Sequence, residues 1–235
     1  MTDVLCGCRV LVTGASSGIG RALALALVGR GAQVVATARS ADKLASLAAQ
    51  AGAALTTATA DVSDAAAVAR LADVAGAVDA VVNNAGAGHV EPFLASDPVR
   101  WRATLETNLV GALLVTRAFL PAMLAAGRGA VVNVGSASAA GWPYLTLYAA
   151  SKAALHAASL SLDQEFAARG VRVLHVEVGP TAGTGFGDHS DPAHLPLARD
   201  TWSNLGIPWA VDVKLPADAA ETILAALETG LAARP

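Results

Sequence analysis

The chain has 235 residues, of which 54% are hydrophobic and 15% are charged, so it can bury one large core. Its 19 acidic and 16 basic side chains are scattered and give a formal charge of −3, which excludes the basic face that nucleic-acid binding needs. The N-terminal stretch MTDVLCGCRV lacks the regions of a secretory signal and predicts a cytoplasmic protein. The longest apolar stretch contains Arg117 and Pro121, which predicts a buried helix and no membrane span.

Short valine-rich runs alternate along the chain with longer alanine- and leucine-rich segments. The runs predict strands at 9–13, 33–38, 54–60, 79–84, 130–136 and 171–178. The other segments predict helices at 18–31, 41–51, 64–75, 97–126, 144–169 and 216–230. Strands that are apolar on both faces favour a parallel sheet covered on both sides. We therefore predict a single-domain, Rossmann-like α/β fold over residues 1–235, with a doubly wound parallel sheet and helices on both faces.

Residues 180–215 interrupt this alternation. They are rich in Gly, Pro, Asp and His and show no clear periodicity. A long irregular connection inside one domain is usually functional. We therefore predict an irregular lid or loop that covers a ligand.

A glycine-rich turn follows the first predicted strand. Gly14, Gly18 and Gly20 have the spacing G-x-x-x-G-x-G, directly before a predicted helix. Glycines let the backbone approach a pyrophosphate, and the helix N-terminus offers free N–H groups and a positive dipole end. The second strand ends at Ala38 and Arg39, where an acid would hold the ribose of NAD and a base suits the 2′-phosphate of NADP. The sequence thus favours NADP(H) over NAD(H).

Tyr148 and Lys152 are four residues apart on one predicted helix, so they share a face. A nearby ammonium favours the phenolate and would bring the pKa of Tyr148 closer to the range of a useful acid or base. Ser136 follows a predicted strand at the edge of the sheet where ligands bind, and Asn108 lies in a helix after the neighbouring strand. Each residue alone has an ordinary structural explanation as a cap, turn or surface residue. Their occurrence in this order favours an active site.

Together these motifs resemble the short-chain dehydrogenase/reductase family. The matching stretches, which reach to about residue 180, are TGASSGIG (13–20), DV (61–62), NNAG (83–86), Asn108, the serine of NVGS and YAASK (148–152). The resemblance implies an oxidoreductase that interconverts a carbonyl compound and its alcohol with a nicotinamide cofactor. The spacing of the His and Cys residues indicates no metal site.

The resemblance assigns roles to single residues. Tyr148 would be the general acid or base, Lys152 would lower its pKa and bind the nicotinamide ribose, and Ser136 would hold the substrate oxygen. Asn108 would help to hold a water molecule of the proton relay. The cofactor would be bound by Gly14, Ser16, Ser17, Gly18, Ile19, Gly20, Arg39, Asp61, Val62, Asn83, Ala85, Gly86, Tyr148, Lys152, Gly179 and Thr184.

Within that cofactor set, four residues have more specific expected contacts. Asp61 and Val62 would flank the adenine, and Asn83 would contact the adenosine ribose. Thr184 would contact the nicotinamide amide.

Three features depart from the family pattern. Ser136 precedes Tyr148 by one residue fewer than usual, so Ser138 remains a second candidate for the ligand of the substrate oxygen. Val178 replaces the proline that usually follows the sixth strand. The chain ends without the apolar run of the usual seventh strand, so we expect a homodimer through the helices at 97–126 and 144–169 more than a tetramer.

Aromatic and apolar residues in the loops near the nicotinamide predict a hydrophobic carbonyl substrate, or else they are lid residues that pack on one another. A rival hypothesis is a non-catalytic dinucleotide-sensing protein on the same fold. The intact catalytic set argues against this rival, because a sensor needs no proton relay. The aromatic and apolar residues are Trp142, Tyr144, Leu145, Phe186, Trp202 and Trp209.

Overall fold

The computed structural model describes residues 4–186, 188 and 190–233. The strands are β1 (Arg9–Thr13), β2 (Gln33–Ala38), β3 (Leu55–Thr59), β4 (Ala80–Asn83), β5 (Gly129–Val134) and β6 (Val171–Val176). They form one parallel sheet in the order β3-β2-β1-β4-β5-β6. The strand order reverses between β1 and β4, and ligands of open α/β sheets bind beside such a switch point, at the carboxyl ends of the strands.

Helices cover both faces of the sheet, which confirms the predicted doubly wound α/β fold. One core cluster lies between the sheet and the helices at 18–29, 41–51 and 216–232. A second cluster lies between the opposite face of the sheet and the helices at 65–75, 112–126 and 146–166. Val10 and Val12 face the first cluster and Leu11 faces the second, which explains the uninterrupted apolar run of β1. The helices are α1 (Gly18–Gly29), α2 (Ala41–Ala51), α3 (Ala65–Ala75), α4 (Pro98–Leu105), α5 (Ala112–Ala126), α6 (Thr146–Phe166), α7 (His194–Asn204) and α8 (Pro216–Ala232).

The predicted helix at 97–126 is interrupted in the structure. A π-helical turn, Glu106–Gly111, separates α4 from α5 and carries the buried Asn108. Single π-helical turns inside α-helices are frequent at functional sites, because they redirect side chains and loosen the regular backbone hydrogen bonds. The interruption therefore marks this helix as part of a site.

By length and composition alone, Pro98–Ala126 is apolar enough to cross a membrane, with 33% of its most apolar window buried. A core helix of a soluble protein passes the same test, and Val115 and Phe119 of this segment are buried in the second core cluster. Much of its remaining apolar surface is uncovered in the single chain.

The prediction of an irregular segment at 180–215 is wrong in part. The structure places the helix α7 at His194–Asn204, where Ala198 and Trp202 are buried in a small third cluster. This helix has a weak apolar pattern, and packing of Trp202 against neighbouring loops stabilises it. Gly187 and His189, which also belong to the predicted lid, lie outside the described residues.

Candidate active site

The glycine-rich turn after β1 leaves little room for side chains. Gly14 has a φ of +66°, in the left-handed region that favours glycine. A side chain at Gly20 would collide with the carbonyl of Gly14 and the side chain of Asn84. Ser17 caps the N-terminus of α1, yet its side chain makes no capping hydrogen bond, so the first N–H groups of the helix remain available to an anion. These features fit the pyrophosphate of a dinucleotide.

The NNAG turn after β4 is fastened to the glycine-rich turn. The Thr13 hydroxyl accepts hydrogen bonds from the backbone N–H groups of Asn84 and Ala85, both at 3.0 Å. The Asn84 side chain donates to the Thr13 carbonyl at 2.9 Å. Ala85 and the adjacent Gly86 are thereby held at the switch point between β1 and β4. We predicted no role for Thr13 or Asn84, although their places in the motifs TGASSGIG and NNAG were a usable signal.

Two residues that are expected to contact the adenosine have buried side chains. Asn83 is 3% exposed, and its side-chain amide donates to the Asn133 side chain at 2.8 Å and to the Thr116 hydroxyl at 3.0 Å. Val62 is 6% exposed and packs in the second core cluster. Both side chains thus make interior contacts, and the contacts of Asn83 and Val62 with the adenosine remain predictions.

Asp61 has a more suitable position for the adenosine. Its carboxylate accepts hydrogen bonds from the Ser63 hydroxyl at 2.7 Å and the Ser63 backbone N–H at 3.0 Å. The hydroxyl bond is the main cause that lowers the pKa of Asp61, and the positive charge of Arg39 adds a smaller effect. Arg39 and Asp61 are therefore close enough to interact across the ends of β2 and β3.

Arg39 is exposed at the end of β2, and no other described residue forms a hydrogen bond or ion pair with it. An open cleft of about 430 Å³ lies nearby, between the glycine-rich turn and α2. The cleft offers hydroxyl and cationic side chains to an anion, together with one carboxylate. Its lining residues are Ser16, Ser17, Gly18, Arg21, Asp42, Lys43 and Ser46.

Ser136 and Tyr148 come together at the carboxyl end of β5. The Ser136 hydroxyl lies near the Tyr148 hydroxyl, and its interaction with the tyrosine lowers the tyrosine pKa. The Ser138 hydroxyl lies 3.0 Å from that of Ser136, behind it, and Ser138 is only 3% exposed. Ser136 is thus better placed than Ser138 to meet a substrate oxygen.

The pKa of Tyr148 reflects two opposing effects. Burial of the hydroxyl raises its pKa above the ordinary value, and the interaction with Ser136 only partly offsets this effect. The Lys152 ammonium lies 5.8 Å from the centroid of the Tyr148 ring. Burial therefore outweighs the hydroxyl interaction in the protein alone, and the lowering of the Tyr148 pKa by Lys152 remains a prediction.

Lys152 is buried directly behind the tyrosine. Its ammonium donates a hydrogen bond to the Val134 carbonyl at 2.7 Å, and burial lowers its pKa to about 8. An ammonium has three donors, so two remain for a ligand. Gly86 borders the same space, since a side chain there would come within 3.8 Å of the lysine nitrogen.

Asn108 is held by three hydrogen bonds. Its side-chain oxygen accepts from the Ala87 backbone N–H at 2.7 Å, and its amide donates to the Ala87 carbonyl at 2.8 Å and to the Ser151 hydroxyl at 2.9 Å. The side chain therefore has no donor left for the expected water molecule. The side-chain oxygen accepts one hydrogen bond and keeps a second acceptor site, so a water molecule could still donate to it.

The segment after β6 lies over the site. Thr184 contacts the glycine-rich turn at Gly18, and its hydroxyl donates to the Thr181 carbonyl at 3.3 Å. The Phe186 ring lies 4.7 Å from the Tyr148 ring, between centroids. Gly179, whose carbonyl accepts from the Thr181 hydroxyl, begins the segment. This arrangement shields the tyrosine from solvent on one side.

The other aromatic residues near the site contact each other. Trp202 lies 5.5 Å from Trp142 and 6.2 Å from Trp209, between ring centroids. Its indole N–H donates to the Pro143 carbonyl at 2.8 Å. These rings are therefore engaged in lid packing and leave little apolar surface for a ligand.

Comparison with known proteins matches this geometry. A family model of the short chain dehydrogenases covers residues 9–193. The chain is 37% identical over 184 residues to the NADP-dependent 3-hydroxy acid dehydrogenase YdfG of Salmonella typhi, covering 75% of this chain and 74% of that protein. A short-chain dehydrogenase structure from Streptomyces avermitilis superposes with a TM-score of 0.83 and 33% identity, covering 97% of this chain and 87% of that chain.

A second solved structure, the closed form of a serine dehydrogenase complexed with NADP+, superposes with a TM-score of 0.80 and 31% identity. It covers 92% of this chain and 87% of that chain. The family model spans the range that contains the motifs around the cleft, and the two structures superpose over most of the chain. This protein belongs to the short chain dehydrogenase family.

Proposed function

We propose that the protein is an NADP(H)-dependent oxidoreductase that interconverts a carbonyl compound and its alcohol. The observation that carries the proposal is the convergence of Ser136, Tyr148 and Lys152 at the carboxyl end of β5, beside the glycine-rich turn. Asn108 supports this group from the π-helical turn. When bound, the cofactor supplies or accepts the hydride.

The protein residues orient the substrate and move the proton. The Ser136 hydroxyl holds the substrate oxygen, and Tyr148 donates a proton to that oxygen in reduction or removes it in oxidation. The free donors of the Lys152 ammonium bind ribose hydroxyls next to the tyrosine. A proton can then pass from the tyrosine region toward Asn108.

NADP(H) is favoured because Arg39 stands free at the end of β2, where the 2′-phosphate of the adenosine lies in this fold. A guanidinium suits a phosphate because it offers several donors in a fixed plane. Of the relatives described above, one is named as NADP-dependent and another was solved in complex with NADP+. We expect the adenosine to lie between Arg39 and Asp61.

The substrate expected from the sequence is hydrophobic, but the contacts among Trp142, Trp202 and Trp209 favour the alternative that these residues pack on one another. Relatives named for 3-hydroxy acids and for serine support a small, polar alcohol instead. We therefore propose a short hydroxy acid as the substrate class.

We also propose a homodimer in the cytoplasm, with the segment 180–215 as the lid. The uncovered apolar surface of Pro98–Ala126, together with the exposed Leu160 of α6, supports a helix-to-helix interface. The rival hypothesis, a non-catalytic dinucleotide sensor, finds no support in the buried lysine and paired hydroxyls, which a sensor does not need.

Titration with NADPH and NADH, followed by absorbance assays on a panel of ketones and hydroxy acids, tests the proposal. Wild type should bind NADPH more tightly than NADH and turn over at least one compound, while Tyr148→Phe should bind NADPH and show no turnover. Arg39→Ser should weaken the binding of NADPH more than that of NADH. The control is Arg70→Ser, which lies on the far side of the sheet in α3. Cofactor binding without turnover on a broad panel would favour the sensor.

A further inference from the structure

A small recess opens beside Tyr148, between the loop after β4 and the start of α6. Its volume is about 20 Å³, which holds a group of roughly the size of one water molecule. One carboxylate, that of Glu91, lines it together with four aromatic rings. The rings belong to Phe93, Trp101, Tyr144 and Tyr148.

Glu91 has unused capacity as an acceptor. Its side chain is only 12% exposed, and among the described residues its carboxylate has one partner, Arg100, at 3.4 Å. Charge-assisted hydrogen bonds are usually shorter, at about 2.8 Å, and a carboxylate can accept up to about four of them. A largely buried carboxylate with one long contact is costly unless a donor comes to it.

Aromatic rings around a carboxylate suit a small cation. The faces of Trp and Tyr rings attract an ammonium, and the carboxylate supplies the opposite charge. An apolar group in the recess would leave Glu91 with only its long contact to Arg100, and an anion would be repelled by the carboxylate. The recess has the chemistry and the size for a primary ammonium.

Arg100 lines the same recess and is more exposed to solvent than Glu91. Its side chain is 48% exposed, and it uses one nitrogen in the long contact with Glu91. A guanidinium has five N–H donors and binds carboxylates in a planar, two-point manner. Glu91 and Arg100 therefore present a negative and a positive charge side by side, which is the complement of an amino-acid head group.

We propose that the substrate is a small 2-amino-3-hydroxy acid whose ammonium is bound by Glu91 and whose carboxylate is bound by Arg100. This inference rests on the proposed function. The carbinol carbon at position 3 loses a hydride to NADP+, and its hydroxyl proton passes to Tyr148. The products are a 2-amino-3-oxo acid, NADPH and a proton.

Three alcohols that differ by one charged group test the inference with NADP+ as the oxidant. Serine, tested as both enantiomers, has the ammonium and the carboxylate, 3-hydroxypropionate lacks the ammonium, and ethanolamine lacks the carboxylate. Wild type should oxidise one enantiomer of serine with a kcat/KM at least about 10-fold above that of either truncated compound, since each charged hydrogen bond is worth about this factor or more. The variants are Glu91→Gln and Arg100→Gln, with Glu165→Gln at the far end of α6 as the control.

Glu91→Gln should lower kcat/KM for serine by about 10- to 100-fold, mainly through KM. The factor by which kcat/KM falls for 3-hydroxypropionate should be at least about 10 times smaller. Arg100→Gln should lower kcat/KM for both carboxylates. Equal efficiency on serine and 3-hydroxypropionate in wild type, or an equal loss on both in Glu91→Gln, would overturn the inference. Turnover of simple ketones with none of the three alcohols would overturn the inference alone, while inactivity on every compound would also overturn the proposed function.

Discussion

The side-chain amide of Asn108 donates a hydrogen bond to the hydroxyl of Ser151 at 2.9 Å, and both residues are buried. Ser151 donates its own proton to the main-chain carbonyl of Tyr148 at 2.7 Å. The serine therefore joins the π-helical turn to the first turn of α6, and it fixes the tyrosine relative to Asn108.

Ser151→Ala removes this connection and leaves the reacting groups in place. We expect kcat to fall about 3- to 10-fold, in line with one or two neutral hydrogen bonds, while the Kd for NADPH stays within about twofold. Steady-state kinetics and a fluorescence titration measure the two quantities. Ser161→Ala, exposed on the same helix, is the matched control. A larger effect on NADPH binding than on kcat would contradict a positioning role.

Burial of the Lys152 ammonium predicts a pH-dependent stability of the protein without cofactor. Its pKa is about 8 in the folded chain and 10.5 in the reference state, so the unfolded chain binds more protons between these values. The contribution of Lys152 to the free energy of unfolding should therefore rise with pH, by about 2 to 3 kcal/mol between pH 8 and pH 10.

Lys152→Met isolates this contribution, because it removes the titrating group and retains an unbranched side chain. The variant should unfold at higher urea than wild type at pH 7, and this difference should shrink as the pH rises from 8 to 10. Lys43→Met, at an exposed position, should show no such trend. A difference between Lys152→Met and wild type that stays constant over this range would mean that the lysine is not strained by burial.

Ser136 and Ser138 can be separated by single substitutions. Ser136→Ala removes the hydroxyl that meets the tyrosine, so kcat should fall by about 10- to 1,000-fold, the range seen when a donor to a reacting oxygen is lost. The pKa of Tyr148 should rise further, because the interaction with Ser136 lowers it, and the rising limb of the pH profile for oxidation should move to higher pH. Ser138→Ala should have a much smaller effect, and the reverse order would assign the substrate oxygen to Ser138.

The sequence predicted the sheet well because its strands are buried on both faces. Val10, Leu11 and Val12 are all fully buried, and such runs are hard to read as anything but central strands. The position of Ser136 followed from the same reasoning, since strand ends of a parallel sheet meet at one edge. Tyr148 was found instead from its four-residue spacing to Lys152 on one helix.

Features that depend on tertiary contacts were not predicted. Helix α7 is held by the burial of Trp202, and its own sequence has little periodicity. The π-helical turn depends on the contact of Asn108 with the Ala87 backbone, which no local pattern reveals. The hydrogen bonds of the Asn83 amide to Asn133 and Thr116 also join separate elements, so the local sequence carries no signal for them.

A substitution of Asn83 tests whether its side chain stabilises the interior or binds the cofactor. Its amide joins β4 to β5 and α5 through Asn133, Thr116 and the Ala112 carbonyl. Asn83→Ala would remove three buried hydrogen bonds and leave acceptors unpaired, so the free energy of unfolding should fall by about 2 to 4 kcal/mol. Urea denaturation measures this change, with Asn204→Ala at an exposed position as the control. If the side chain serves only the interior, the Kd for NADPH should remain within about twofold at a temperature where the variant is folded. Weaker NADPH binding with unchanged stability would restore Asn83 as a ligand of the cofactor.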